Sequence, residues 1–324
     1  MSEITYREAT LDDAELASDV MTESYPALAQ DPELTRLRWK HARRGFAYGR
    51  YLAVRSERPF AFLAWVHGPW EEVEDRHCEV EAWIGRKEID RELVVRMFGW
   101  VSDRAVAEGS RILLAYCAED ELEMLEGLGD LGFRRERVER VWELDLAEHG
   151  ARLTREAAEA REHMSAAGIR YTVLADWRDP DRTRKLHELN ELTVHDVPHT
   201  LTIVPEALED FEKRITTPDR PHDRYWIALE GDTPVALSYL KFPPVRGAVW
   251  TGYTCTHPDH RGRGLARAIK LQTLAQAVQL GVPLVYTSND SENVPILRIN
   301  EALGYRPRPG FVEHHKRVTN TGHG

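Results

Sequence analysis

Leu131-Gly132-Phe133 and Leu303-Gly304-Tyr305 each follow a short helix-forming segment, and they stand 172 residues apart in a chain of 324. A single tripeptide is weak on its own, but the order of elements around it repeats as well. In the first half, residues 4–7 read as a short strand and helical material runs to about Arg44. Segments 51–54, 61–66 and 78–84 are rich in residues that suit buried strands. Residues 90–108 carry helical spacing, followed by a strand at 111–116, a short helix at 122–128 and a strand at 138–146. The second half has strands at 171–174, 226–229 and 235–240, a longer one at 249–256, and helices near 182–192 and 205–214. A helix over 265–280 is closed by Gly281; a strand at 284–287, a helix near 295–302 and a last strand from about Phe311 complete it. Two copies of one mixed α/β fold account for this order better than two unrelated domains.

The composition, 42% hydrophobic with nine Trp and eleven Tyr, supplies material for two cores and speaks against disorder. A formal charge of −11 speaks against a general nucleic-acid surface while permitting a local phosphate site. Cys78, Cys117 and Cys255 are far apart in sequence and form no CxxC pair, as expected in a reducing compartment. The start lacks the basic and apolar regions of a signal peptide, and no stretch of 18 apolar residues suggests a membrane span. The expectation is a cytoplasmic protein without membrane or nucleic-acid partners. The histidines show no HExxH or similar spacing, so no metal is expected.

The chemistry concentrates after the long strand, where His257-Pro258-Asp259-His260 leads into Arg261-Gly262-Arg263-Gly264-Leu265-Ala266. Two glycines let backbone amides turn toward one point, the following helix adds unpaired amides and the positive end of its dipole, and two arginines bring charge. That combination suits a pyrophosphate. The spacing differs from the dinucleotide fingerprint, and no Gly-Lys-Ser/Thr follows as a Walker motif requires.

The run Arg261–Ala266 resembles the Arg/Gln-x-x-Gly-x-Gly/Ala signature of the GCN5-related N-acetyltransferase (GNAT) superfamily. The resemblance implies two tandem GNAT-like units, each a mostly antiparallel mixed sheet flanked by helices. It covers the second half well and the first half only by element order. It implies that the turn binds the pyrophosphate of acetyl-CoA, and that Thr254, Cys255 and Thr256 offer backbone groups to the cofactor arm and acetyl carbonyl. Asn289 and Asn293 extend the match; Asn293 reads equally as a helix cap, and Asn289 as an Asx turn. Tyr305 reads as mainly structural. Many relatives place a tyrosine acid three residues before the Leu-Gly pair, where this chain has Asn300, which has no proton to give near neutral pH. Tyr253 and Tyr286 join Tyr305 as substitutes, each with a plain reading as a packed aromatic.

The acceptor side is expected from the early part of the second copy. His195-Asp196-Val197-Pro198-His199 is dense in proton-handling groups: Asp196 can bind an amine or act as base, and His195 or His199 can relay a proton. Solvated loop residues and a turn cap are the plainer alternatives.

The domain reading is a degenerate, structural copy at 1–150, a helical linker at 151–168, the acetyl-CoA-binding copy at 169–318 and a flexible tail at 319–324. In the first copy the counterpart of the turn, residues 85–92, has one glycine and three acidic residues that oppose a diphosphate. That copy is expected to stabilise the other, to close part of its acceptor cleft, or to form a homodimer surface. The tandem arrangement resembles actinobacterial members of the superfamily, mycothiol synthase-like proteins among them. The function expected is acetyl transfer from acetyl-CoA to a primary amine of a small molecule by direct attack. A non-catalytic acyl-CoA-binding regulatory module and a protein N-acetyltransferase are the alternatives.

Overall fold

The structure, a computed structural model, describes residues 3–318; the end at 319–324, expected to fray, lies outside the described residues. The first half runs β1 (Ile4–Glu8), α1 (Ala14–Ser24), α2 (Pro32–Lys40), β2 (Ala47–Arg55), β3 (Arg58–His67), β4 (His77–Ile84), α3 (Arg91–Ala107), β5 (Ile112–Ala118), α4 (Leu122–Asp130) and β6 (Arg134–Asp145). A long helix, α5 (Leu146–Ala166), leads across. The second half runs β7 (Ile169–Val173), α6 (Arg182–Val194), α7 (Leu208–Ile215), β8 (Tyr225–Glu230), β9 (Thr233–Lys241), β10 (Val249–Thr256), α8 (Leu265–Gln279), β11 (Leu284–Asp290), α9 (Val294–Leu303) and β12 (Arg306–Arg317).

The repeat seen in one tripeptide extends much further. At an offset of 172 residues, β4, β5 and β6 match β10, β11 and β12 at both ends, α3 and α8 end in step, and α4 and α9 begin in step. Every position from His77 to Asp145 therefore has a counterpart in the second copy.

The twelve strands of the described residues form one sheet, in the order β1-β2-β3-β4-β5-β12-β6-β11-β10-β9-β8-β7. Each half gives its last strand to the other: β6 pairs antiparallel with β11, and β12 pairs antiparallel with β5. The two exchanged strands lie side by side at the centre. Both begin earlier than their apolar patterning suggests, β6 at Arg134 and β12 at Arg306, because the charged and proline-containing lead-ins find pairing partners across the exchange.

Helices α3, α4, α5, α8 and α9 cover one face of the sheet, where α8 is enclosed almost all round between β9 and α5. Helices α1 and α2 cover the first half's other face, and α6 and α7 the second half's. The halves clasp each other on that second face. The Asp31 carboxylate accepts from the amides of Val245 and Arg246 at 2.7 and 3.0 Å, and Arg43 donates to the carbonyls of Val204 and Pro205 at 2.7 and 2.6 Å. Among the described residues no helix is long and apolar enough to cross a membrane.

Candidate active site

The turn after β10 is built as a cradle. Gly262 and Gly264 have φ of +75° and +80°, in the left-handed region that favours glycine, and Gly264 caps α8 without any side-chain bond. Among the described residues no protein oxygen accepts from the amides of residues 262–267; the first helical bond runs from the Ala268 amide to Gly264. Leu265 anchors the turn in the core, and Ala266 leaves its approach clear. The arginines are held by carboxylates: Arg261 bonds Asp196 and reaches the Thr256 carbonyl at 3.4 Å, while Arg263 meets Glu230 at 3.1 Å. The Glu230 carboxyl is held below its usual range by hydrogen bonds from His260 and Arg263.

Upstream, β10 and β11 are paired in parallel only at Val249 with Val285 and Trp250 with Tyr286; beyond that point they part. The register of β10 against β9 shifts between Thr251 and Tyr253, which makes Gly252 the extra residue of a bulge. A Cβ there would fall on the Tyr239 ring. Thr254 meets Ser238 at 2.9 Å, Thr256 has a buried hydroxyl without a partner, and Cys255 is buried, its thiol pushed up to about 12 by burial. Tyr253 places its hydroxyl 3.1 Å from Thr193 Oγ1, and burial raises its pKa.

Behind the opening stands a polar chain. Lys270 Nζ donates to Asn300 Oδ1 at 3.0 Å, and Asn300 Nδ2 donates to Asn289 Oδ1 at 2.7 Å. Burial pushes the Lys270 ammonium down to about 7. Asn293 caps α9 with its backbone only, leaving its amide side chain unspent. Tyr305 is a core residue beside Leu303 and Val285, and Tyr286 stacks on Trp250 at 5.3 Å.

His195, Asp196 and His199 are exposed on the connection between α6 and α7, with the two imidazoles 6.5 Å apart. Asp196 reaches the turn through Arg261. The connection then crosses to the first half, where Asp75 accepts from the Thr202 amide at 2.9 Å, and Thr200 Oγ1 donates to Glu313 of the exchanged strand β12 at 3.2 Å. The spacing of the sequence gave no hint of Lys270; comparing the two copies position by position would have, since Phe98 is its counterpart.

The first copy is closed at the equivalent place. Asp90 stands where the second copy has Gly262, and its carboxylate accepts from the Leu93 amide at 2.7 Å. A side-chain anion thus occupies the helix end that α8 leaves open.

A model of the acetyltransferase (GNAT) family matches residues 186–305. No curated protein matches the sequence. Among solved structures, a tandem GNAT protein from the clavulanic acid biosynthesis pathway, solved without acetyl-CoA, aligns with a TM-score of 0.77 at 16% identity, covering 99% of this chain and 100% of that one. A GCN5-related N-acetyltransferase from Sphaerobacter thermophilus aligns with a TM-score of 0.69 at 18% identity, covering 97% and 95%. The glucosamine N-acetyltransferase region of a fungal multi-domain GH3 β-N-acetylglucosaminidase gives 0.68 at 12% identity, covering 98% of this chain and 38% of that one. The chain therefore has the GNAT fold, in tandem.

Proposed function

We propose that the second half is an acyl-CoA-dependent N-acyltransferase that moves acetyl from acetyl-CoA to a primary amine of a small molecule, and that the first half supports it. The observation that carries this reading is the contrast between two equivalent helix ends, one open behind Gly262 and Gly264 and the other filled by Asp90.

In this reading the amides of residues 262–267, with Arg261 and Arg263, hold the pyrophosphate, and the Asn293 amide and the parted edge of β10 at Thr254, Cys255 and Thr256 hold the arm. Acetyl-CoA supplies an activated thioester. The bulge at Gly252 offers backbone polar groups beside the opening. Tyr253, braced by Thr193, orients the incoming amine, and the exposed His195 and His199 pass its proton to solvent. The bond formed is amine nitrogen to acyl carbon, the bond broken is carbon to sulfur, and the departing thiolate takes up one proton. Asn300 cannot give that proton; a solvent water at the opening, held by the Asn289 and Asn300 amides, gives it, and Lys270, hydrogen-bonded to Asn300, can replace it. Asp196 is assigned to Arg261 rather than to the amine. The three separate buried cysteines suit a reducing compartment such as the cytoplasm.

The test is a screen of purified protein against amines with acetyl-CoA and longer acyl-CoAs, reading free thiol and product mass together. A folded protein that neither binds CoA nor acylates any amine overturns the proposal. Tight CoA binding without turnover supports the non-catalytic module that the loss of the tyrosine at position 300 favours, and turnover confined to intact proteins supports protein acetylation.

A further inference from the structure

On the face carrying α1, α2, α6 and α7 the two halves flank a half-open cavity of about 930 Å³. Trp250 and Ser288 line it where β10 and β11 part, so it opens directly onto the proposed acyl position. Alternation along β4 turns Cys78, Val80 and Ala82 into the core beneath α3 and leaves Glu79 and Glu81 facing the cavity. Glu139, on the exchanged strand β6, lies opposite Asp290 of β11, two residues from Ser288, and faces the same space. All three acids come from the first half.

The opposite wall is basic. Lys241 stands at the end of β9, in register with Trp250, with Arg220 and the α2 residue Arg38 nearby. Asp219 lies among these three bases, 3.9 Å from Arg220 Nε, and offsets one of them. These charges have not found one another. Among the described residues Glu79, Glu139 and Lys241 make no side-chain hydrogen bond or ion pair; Glu81 accepts only from Trp83 Nε1 at 2.7 Å. Arg38 donates only to the neutral Gln30 Oε1 and Thr35 Oγ1, at 3.2 and 3.1 Å, and Arg220 Nε is buried without a hydrogen-bond partner. Burial pushes the Glu79 carboxyl up, reinforced by Glu81 and Glu313, and pushes the Lys241 ammonium down, reinforced by Arg220. Arg38 and Arg50, which also lines the cavity, lie within electrostatic reach of Glu81, and Asp219 and Glu139 within reach of Lys241. Among the described residues none of these groups except Asp219 closes into an ion pair, so both walls keep hydrogen-bonding groups free for a ligand of opposite charge.

We propose that this cavity is the acceptor site and that the acceptor is a small zwitterion on an apolar body, its amine toward Glu139 and Ser288 and its anionic group toward Lys241 and Arg220. Glu79 and Glu81 extend the acidic wall and favour the cationic end. Met21, Trp39 and Phe62 give the apolar body a surface. The inference rests on the transferase reading for its chemistry and on the two walls for its charge pattern.

The experiment uses the full chain and a series of straight ω-amino acids from glycine to 8-aminooctanoate, each beside the alkylamine and the alkanoate of equal length. Binding is read by calorimetry without cofactor, and acetylation by product mass. At one or more lengths the zwitterion is expected to bind at least about tenfold tighter than either singly charged counterpart. Lys241→Met is expected to remove that advantage while leaving alkylamine binding unchanged, and Glu139→Gln to weaken both amines while leaving alkanoate unchanged. Circular dichroism and CoA affinity report whether each variant folds, and Lys241→Gln and Glu139→Ala replace any that does not. The proposal is overturned if no length favours the zwitterion, or if Lys241→Met weakens amine and zwitterion alike. Zwitterion binding without CoA binding defeats the transferase reading alone, and acylation of simple amines without zwitterion preference defeats the charge-pattern proposal alone.

Discussion

Lys270 and Asn300 meet at 3.0 Å inside a closed core, one on the helix behind the cradle and the other on the helix that follows β11. Their counterparts in the first half are Phe98 and Leu128, and the counterpart of Asn289 is Cys117; all three are buried and apolar. The neighbouring aromatic is kept in both copies: Phe98 packs edge-on to Phe133 at 6.4 Å, and Lys270 lies 5.2 Å from the Tyr305 ring centre. The fold is thus satisfied by an apolar trio at these positions. Only the copy with the open cradle carries a polar one, at a desolvation cost that packing does not require.

The cost gives a stability prediction with a defined sign. The folded pKa of Lys270 is depressed to about 7, while the unfolded chain holds its proton up to about 10.5. Between those values the unfolded state binds more protons, so this residue makes the protein more stable as pH rises from 7 toward 10, and its full penalty stands below 7. Lys270→Met should melt higher than the parent at pH 6 to 7, by an amount on the order of a few kcal/mol, with the gap closing toward pH 10. Melting curves across that range check it, and a constant gap would remove the buried ammonium as its cause. In turnover the same variant should lose about a hundredfold in kcat with CoA affinity kept, whereas Tyr253→Phe should raise KM more than it lowers kcat.

Much of the second half could be read directly. The strand Val249–Thr256 and the start of α8 at Leu265 are where the residues put them, because a run of aromatic and β-branched residues stops at His257-Pro258 and the glycines leave little choice of helix start. The strand exchange was not legible. Alternating residues in β6 and β12 satisfy the same pattern beside either neighbour, and the choice of partner is made by contacts between residues far apart in sequence. Pro307 and Pro309 further disguised the beginning of β12. The same limit applies to the site. The cradle is local and could be found from spacing, while the pairing of Asp196 with Arg261 and the burial of Lys270 arise only when α6 and α9 dock.

The cradle itself is tested by bulk at its tightest residue. Gly264 sits at a φ of +80°, with Met164 Cε 3.6 Å from where a Cβ would be. Gly264→Trp combines backbone strain with a ring over the free amides and should weaken CoA binding by more than about a hundredfold. Calorimetry against CoA measures it, with circular dichroism to show that the protein is folded. Unchanged affinity in a folded variant would move the pyrophosphate elsewhere.

One cradle open and one closed predicts one CoA per chain. Asp90→Ala removes the cap from α3 and should lower stability by about 1 kcal/mol. Glu88 and Glu92 flank the freed amides in the sequence and oppose a diphosphate, so the stoichiometry should stay at one. Denaturant titration and calorimetry on the same variant separate the two effects. Two equivalents bound by the parent protein would mean that Asp90 does not close the first site.

Asp196 separates a proton-transfer role from an electrostatic one. It pairs with Arg261 while both side chains are nearly half exposed, at 49% and 46%, so the pair itself adds little to stability. A diphosphate arriving at the turn has to compete with that carboxylate for the guanidinium. Asp196→Asn should therefore tighten CoA binding a few-fold at low salt, with the gain fading as ionic strength rises. If the side chain acts only through Arg261, kcat should keep the parent's pH dependence through the alkaline range. A large fall in kcat with loss of the basic limb, and no gain in CoA affinity, would instead make Asp196 the base that takes the amine's proton.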